Sequence, residues 1–113
     1  MLKKLEKIFK ALGDKNRLRI INILSQRSLC VCEINSILPL SQSTISGHLR
    51  VLKDAELVED EKNGFWVEYS LNQNHPLIAE ILEIVENILL KDQLLSKDRK
   101  MSLKVDRMQI CKK

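Results

Sequence analysis

Apolar residues recur at helical spacing in four successive segments of the first half of this chain. The first segment ends at Gly13, and the second begins at Asp14, a residue type that caps helix N-termini well. A third, short segment runs from about Cys30 to Leu38, and Ser41 caps the fourth. The pattern therefore predicts four helices in succession. The buried stripe of the fourth helix is expected to be Ile45, Leu49, Leu52 and Ala55.

A β-hairpin and one further helix complete the predicted fold. Two strand-like segments, Leu57 to Glu61 and Phe65 to Leu71, flank the pair Asn63-Gly64. That pair is a strong hairpin signal, because both central residues of such a turn need positive φ. A last helix is expected from Pro76 to about Leu95. We therefore expect a mainly α protein with a small β-hairpin, in the order α-α-α-α-β-β-α.

The last helix carries two neighbouring apolar stripes, whereas a surface helix needs only one. Two stripes predict two neighbours, the helix's own domain and a second copy of the chain, so we expect a homodimer formed through the terminal helices. Residues 1–95 should form one domain and residues 96–113 a basic C-terminal tail, in which Met101 to Asp106 fits a strand and a helix equally well. The stripes are Leu77, Ile81, Ile84 and Ile88, and Ile78, Leu82, Val85 and Leu89.

Two short helices joined by a tight turn and followed by a hairpin have the layout of a winged helix-turn-helix. The fourth helix places short polar side chains and Arg50 off its apolar stripe, as reading base edges in the major groove requires. Gly47 should lower the stability of the helix by about 1 kcal/mol relative to alanine. A glycine at this position therefore indicates that the helix approaches either DNA or another helix closely. His48 is expected to be partly buried and structural. The predicted DNA-binding residues are Gln42, Ser43, Thr44, Ser46, Gly47, Arg50 and Lys62.

The charge distribution along the chain favours double-stranded DNA as a partner, except in residues 54–86. Residues 1–27 hold eight basic and two acidic side chains, and residues 91–113 hold eight basic and three acidic ones. Basic surfaces concentrate polyanions such as DNA. Residues 54–86, which include the hairpin, hold one basic and nine acidic side chains. Acidic groups weaken phosphate contacts, so Lys62 is the only charged DNA candidate in the hairpin.

Composition disfavours several other classes of protein. The 113 residues contain no apolar run long enough to span a membrane, and the charged start is no signal peptide, so we expect a cytoplasmic protein without a membrane partner. Two histidines and three glycines leave little for a catalytic site or a phosphate loop, which argues against an enzyme. The three cysteines are better interpreted as free thiols or metal ligands in a reducing compartment.

The segment Leu40 to Leu49 (LSQSTISGHL) resembles the recognition helix of the ArsR/SmtB family of metal-sensing winged-helix repressors. Leu12 to Ile20 is also similar to that family, and Leu29 to Glu33 (LCVCE) resembles the metal-binding segment of its arsenical-, cadmium- and lead-responsive members. The resemblance covers about residues 5–90. It implies a homodimeric repressor that leaves its operator when a thiophilic ion binds, with Gln42, Ser43 and Ser46 at the base-contacting positions. The basic wing usual in the family is missing.

The two cysteines of the LCVCE segment occupy a helix start. Serine or threonine in place of Cys30 would form a capping box with Glu33, so cysteine there indicates a use for its sulfur. A helix N-terminus lowers the pKa of a thiol, and the thiolate is the metal ligand. Residues two apart on a helix point about 200° apart. We therefore expect Cys30 and Cys32 to share one ion only if the first turn unwinds and displaces the next helix. The structural alternative is two small buried thiols.

The family resemblance implies As(III) or Sb(III), which two or three sulfurs satisfy, as the effector, and no permanent cofactor. Cd(II), Pb(II) and Zn(II) are alternatives because soft thiolates select soft ions, although zinc usually takes four ligands. Residues 77–95 contain no histidine, which argues against the family's second zinc site. Cys111 is a candidate third ligand, because Asn35 occupies the position where arsenic-responsive members often have a further cysteine.

Other functions use the same residues differently. A repressor that senses oxidants or sulfide through these cysteines is the main alternative. A dithiol oxidoreductase would need a sheet-based redox fold, which the helix-turn-helix pattern argues against. A DNA-binding module without any effector is the last alternative.

Overall fold

The computed structural model describes residues 1–110, and it confirms a mainly α fold with a small hairpin. In addition to the predicted elements, the structure contains one short strand and two C-terminal helices. The helices are α1 (Leu2–Leu12), α2 (Lys15–Leu24), α3 (Val31–Ile37), α4 (Gln42–Asp54), α5 (Pro76–Leu89), α6 (Gln93–Lys104) and α7 (Arg107–Ile110). The strands are β1 (Leu29–Cys30), β2 (Val58–Asn63) and β3 (Trp66–Leu71).

The predicted caps and apolar stripes fix the helices around one core. Asp14 begins α2, and its Oδ1 accepts hydrogen bonds from the backbone N–H groups of Asn16 and Arg17, at 2.8 and 3.1 Å. The predicted stripe of α4 is fully buried, so this helix is anchored along one side and has a free outer side. The core includes Ile8, Ile20, Ile34, Ile45, Leu49, Leu52, Leu57 and Ile78.

The hairpin turn is centred one residue later than predicted. Asn63 pairs with Trp66 at the end of the β2·β3 ladder, which leaves Gly64 and Phe65 as the two loop residues. Among the described non-terminal positions, only Gly64 (φ 64°) and Glu56 (φ 63°) have positive φ. Asn63 therefore belongs to the strand, and the prediction of positive φ at both Asn63 and Gly64 is wrong. A glycine with positive φ at the first loop position is typical of a type II′ turn.

A third strand joins the hairpin. Leu29 and Cys30 pair antiparallel with Tyr69 and Glu68, so the strand order is β1-β3-β2. A two-residue strand has no periodicity of its own, which is why the pattern did not predict it. The pairing fixes Cys30 beside the hairpin.

Helix α5 ends at Leu89, so its predicted extension to Leu95 is wrong. Asp92 starts a new helix, because its Oδ1 accepts hydrogen bonds from the N–H groups of Leu94 (2.9 Å) and Leu95 (3.4 Å). The ambiguous segment from Met101 is helical as far as Lys104. In residues 1–110, no helix combines the length and hydrophobicity that a membrane crossing requires.

Helix α6 crosses the predicted domain boundary at residue 95 and packs against α2. Asp98, which is buried, accepts hydrogen bonds from Arg19 Nε at 3.0 Å and Nη2 at 3.3 Å. Buried Asn22 donates to the Leu95 carbonyl at 2.9 Å and accepts from Arg99 Nη1 at 2.7 Å. Buried polar groups are costly unless paired, so these bonds hold the start of the predicted tail firmly on the domain.

Candidate DNA-binding surface and cysteine pair

Helix α4 presents a row of polar positions on the side opposite its buried stripe. Ser41 begins the helix by accepting a hydrogen bond from the Thr44 N–H at 3.2 Å. Ser43, Gly47 and Arg50 follow at spacings of four and three residues and are all exposed, so they form one accessible row. Of the predicted DNA-binding residues, Ser46 is half-buried and the exposed ones are Gln42, Ser43, Thr44, Gly47, Arg50 and Lys62.

Gly47 faces open space. A Cβ atom built on Gly47 meets no heavy atom within 4 Å. Close packing against a neighbouring helix of the same chain is therefore excluded as the reason for this glycine. Close approach to DNA stays as the predicted reason.

Arg17 ties α4 to the preceding helices. Its Nη1 lies 3.3 Å from His48 Nδ1, while its Nε donates to the Ala11 carbonyl at 2.7 Å and its Nη2 to the Lys10 carbonyl at 3.2 Å. His48 is half-buried, as predicted for a structural residue. The contact joins positions 31 apart in the chain, so sequence spacing gave no signal for it.

The acidic hairpin is partly neutralised by cations from other elements. Lys53 Nζ lies 3.0 Å from Asp60 Oδ2, and Arg107 Nη1 lies 2.6 Å from Glu68 Oε1. Lys62 is exposed and forms no ion pair within the part of the chain that the structure describes. Lys62 is therefore available to an anionic partner.

Two aromatic residues mark the hairpin tip. The Phe65 and Trp66 rings meet edge to face, with centroids 6.4 Å apart. Trp66 is half-buried, whereas Phe65 is 77% exposed. The tip thus offers a large apolar ring to its surroundings.

The two sulfur atoms of the LCVCE segment are already adjacent. Cys30 Sγ and Cys32 Sγ lie 3.3 Å apart. Two thiolates on one tetrahedral zinc, with bonds of about 2.3 Å, lie roughly 3.8 Å apart. Cys30 is the N-cap of α3 with extended backbone (φ −92°, ψ 168°), so the helical 200° rule does not apply to it. The expectation that α3 must unwind before both sulfurs reach one ion is therefore wrong.

The Cys30 side chain is enclosed and protonated at neutral pH. It is 2% exposed, and its Sγ lies 3.2 Å from Glu33 Oε1, which also accepts the Cys30 backbone N–H at 3.0 Å. Burial raises the pKa of the Cys30 thiol, so the predicted lowering by the helix terminus is wrong. An ion must displace the thiol proton, and its affinity should therefore increase with pH.

A complete set of metal ligands is not found within residues 1–110. No group of three or more His, Cys, Asp or Glu side chains in this range is arranged to hold a metal ion. Two sulfurs fit part of a thiophilic-ion site. The predicted third ligand, Cys111, lies outside the described residues, and α7 before it packs against α3.

Helices α1 and α5 each leave apolar residues exposed. Lys4 Nζ lies 2.8 Å from His75 Nε2, which places α1 beside the start of α5. One predicted stripe of α5 is buried through Ile78 and Leu82, while Ile84 and Ile88 of the other are 61% and 62% exposed. Exposed apolar clusters of this kind typically mark interaction surfaces. Other exposed apolar residues on these two helices are Leu2 and Phe9.

Known proteins similar to this chain are bacterial and archaeal regulators. Residues 14–60 match the family described as bacterial regulatory protein, arsR family. The chain is 45% identical over 73 residues to an arsenical resistance operon repressor of Bacillus subtilis, covering 64% of this chain and 70% of that one. It is 40% identical over 86 residues to an uncharacterized HTH-type transcriptional regulator of Methanocaldococcus jannaschii, covering 75% of this chain and 94% of that one.

A solved structure shares the fold. It is the homodimeric winged helix-turn-helix DNA-binding domain of a possible ArsR-family transcriptional regulator from Mycobacterium bovis. The TM-score is 0.70 at 25% identity, and the match covers 81% of this chain and 83% of that one.

Proposed function

This chain belongs to the arsR family of bacterial regulatory proteins, and from that premise we propose that it is an effector-controlled transcriptional repressor. It binds operator DNA as a homodimer through α4 and leaves the DNA when an arsenite-type ion binds Cys30 and Cys32. The observation that carries this proposal is the 3.3 Å separation of the two sulfurs at the start of α3, the helix that precedes the exposed face of α4.

The proposed DNA contacts follow from the exposed row on α4 and from the half-buried Ser46 beside it. Short hydroxyl side chains at Ser43 and Ser46 can reach base edges, and Arg50 can reach guanine or phosphate. Lys62 adds one cation from the hairpin. Arg17 of α2 contacts His48 of α4 and the last carbonyl groups of α1, and these contacts keep the row in register with the major groove.

Replacing both Ser43 and Ser46 with alanine is expected to weaken operator binding by roughly 1–3 kcal/mol if base pairs are read there. Alanine favours helix, so α4 should persist. Fluorescence anisotropy with labelled operator measures the change, and an unrelated duplex is the control, since loss of base contacts should leave non-specific affinity unchanged. Unchanged operator affinity would rule out base reading by these serines.

Replacing Gly47 with alanine is expected to move stability and DNA affinity in opposite directions. The added methyl group meets nothing within the chain, so the helix should gain about 0.5–1 kcal/mol. On the operator, the same methyl group would occupy space that the proposal gives to DNA, and affinity should fall. Thermal unfolding and operator anisotropy measure the two effects. A variant that is more stable and binds operator as tightly as the wild type shows that DNA does not approach position 47.

The proposed dimer covers the apolar face of α1 and α5. Twofold symmetry would place each protomer's Ile84 and Ile88 against the same face of the partner. Two α4 helices could then enter successive major grooves about one DNA turn, roughly 34–36 Å, apart. The homodimeric relative from Mycobacterium bovis supports this arrangement.

The effector is proposed to be As(III) or Sb(III), with Cd(II), Pb(II) and Zn(II) as weaker candidates. In water, arsenite is As(OH)₃. Each As–S bond that forms replaces an As–OH bond, and the thiol proton leaves with that hydroxide as water. In fully reduced protein, two sulfurs 3.3 Å apart suit this exchange, and Cys111 is the candidate for a third. The resemblance to an arsenical resistance operon repressor supports this choice of ion.

The first effect on the protein falls on Glu33. The protonated Cys30 thiol lies 3.2 Å from Glu33 Oε1 and can donate to it. When the sulfur exchanges its proton for the ion, this donor disappears, and a buried carboxylate loses one of its partners. Glu33 is 1% exposed, so the loss is not compensated by water.

Titration of reduced protein with arsenite, antimonite and Cd²⁺ tests the effector directly. Thiolate charge-transfer absorption reports binding, and labelled operator reports release. A phosphine reductant is required because dithiols chelate arsenite. Release at an ion concentration that matches the absorption change supports the proposal, and absorption without release contradicts it.

Oxidant or sulfide sensing is the second candidate, since sulfurs 3.3 Å apart are also placed for thiol–thiol chemistry. A persulfide donor added to the same operator complex distinguishes it. Release by the donor and not by arsenite would favour this alternative.

A further inference from the structure

The C-terminal segment contacts the hairpin through Arg107. Arg107 of α7 donates from Nη1 to Glu68 Oε1 at 2.6 Å, and its guanidinium carbon lies 4.7 Å from the Trp66 ring centroid. Asn63 Nδ2 donates to the same carboxylate oxygen at 2.9 Å. The hydrogen bonds from Asn63 and Arg107 hold the pKa of Glu68 below its ordinary value. One arginine thus contacts two residues of β3.

Arg107 offsets the repulsion between two glutamates of the hairpin. Glu68 of β3 is directly opposite Glu61 of β2, and like charges opposite each other destabilise a strand pair. A cation paired with Glu68 removes much of this repulsion. The stacking of the guanidinium on Trp66 adds a cation–π contact near the tip. The hairpin position therefore depends on a residue that lies more than thirty positions later in the chain.

The same C-terminal segment also reaches the thiol site. Arg27 donates from Nη1 to the Val105 carbonyl at 2.9 Å and from Nη2 to Glu33 Oε2 at 3.2 Å. Glu33 Oε1 lies 3.2 Å from Cys30 Sγ. Direct contacts therefore run from Cys30 through Glu33 and Arg27 to residue 105, two positions before Arg107.

We propose that residues 105–110, here named the latch, hold the hairpin in the position that DNA binding requires, with Arg107 as a positioning residue. The latch responds to Cys30 through Glu33 and Arg27, so that effector binding loosens it and frees the hairpin. This inference rests on the proposed function for its effector and deepens it by assigning the route to DNA. It replaces the unwinding of α3, which the sulfur geometry makes unnecessary.

The loosening follows from the chemistry at Cys30. When the thiol proton leaves, Glu33 Oε1 loses a donor and keeps the Cys30 backbone N–H. The Glu33 carboxylate and the Arg27 side chain then change position. The hydrogen bond from Arg27 to the Val105 carbonyl is the solvent-exposed end of this series of contacts. The packing of α6 against α2 stays intact, because the buried hydrogen bonds between these helices do not involve Glu33.

The test compares Arg107→Ala with Lys104→Ala in the full chain. Lys104 is an exposed cation just before the latch, and no ion pair of its side chain is found within residues 1–110, so both variants lose one positive charge. Arg107→Ala is expected to bind operator about five- to tenfold more weakly than Lys104→Ala, with a correspondingly smaller further loss on adding arsenite. Glu68→Gln weakens the same ion pair from the hairpin side but also removes the repulsion with Glu61. It should still lose operator affinity, because Arg107 then holds the hairpin less firmly.

Trp66 is the only tryptophan of the chain, so its fluorescence reports the latch directly. Arg107→Ala should shift the emission to the red, as the ring loses its cover. Arsenite should produce the same shift in the wild type and none in Arg107→Ala. Circular dichroism shows whether each variant is folded, and if Arg107→Ala is not, Glu68→Gln carries the comparison.

Equal operator affinity of Arg107→Ala and Lys104→Ala would overturn the positioning role. An equal arsenite response of Trp66 in the wild type and in Arg107→Ala would overturn the route from Cys30. If arsenite leaves the wild-type operator complex unchanged, the proposed effector is wrong and the route with it. The positioning role is then decided by operator affinity alone.

Discussion

Replacing Ile84 with glutamate is expected to split the proposed homodimer into folded monomers. Ile84 is 61% exposed in the protomer, so a glutamate can stay hydrated there and the fold should persist. Burying one isoleucine contributes about 1.5–3 kcal/mol, and twofold symmetry doubles this. The dimer dissociation constant should therefore rise by roughly two to four orders of magnitude. Sedimentation velocity measures the change, and operator anisotropy should show loss of binding.

The matched control is Leu103→Glu. Leu103 is also 61% exposed but lies on α6, which is not part of the proposed interface. This variant should remain dimeric and bind operator. A fully dimeric Ile84→Glu protein, or a monomeric Leu103→Glu protein, contradicts the assigned interface.

The second large effect is expected from Cys30→Ser, which should bind operator normally but no longer release it with arsenite. Serine is a favoured N-cap residue and can donate to Glu33, so the free energy of unfolding should change by less than about 1 kcal/mol. Loss of one of the two sulfurs should raise the arsenite concentration needed for release by at least roughly 100-fold. Anisotropy of labelled operator during an arsenite titration measures this.

Two further cysteine variants control that result. Cys32→Ser should lose release in the same way, whereas Cys111→Ser should weaken the response without abolishing it if that residue is a third ligand. The scheme fails if Cys30→Ser protein leaves the operator at the wild-type arsenite concentration, or if it is markedly less stable than the wild type.

The outer face of α4 and the thiol segment could be predicted because their signals are local. Caps such as Asp14 and Ser41 act within one helical turn, and the buried stripe of α4 follows from its 3.6-residue period. Asp92 carries the same kind of signal for the start of α6, but apolar residues continue past Leu89 and extend the predicted helix beyond its true end. The roles of the DNA-contacting residues and of the ion ligands stay proposals.

Sequence by itself determined the helices, the hairpin and the two apolar stripes of α5, since each depends on residues a few positions apart. Only the tertiary structure decided the environment of Cys30, where burial and Glu33 reverse the effect that a helix terminus has on a thiol pKa. It also decided that the two sulfurs touch, because Cys30 precedes the helix in extended backbone. Arg107 meets Glu68 and Trp66 across 39 or more positions. Such pairings depend on how whole elements pack, and no periodic pattern along the chain encodes them.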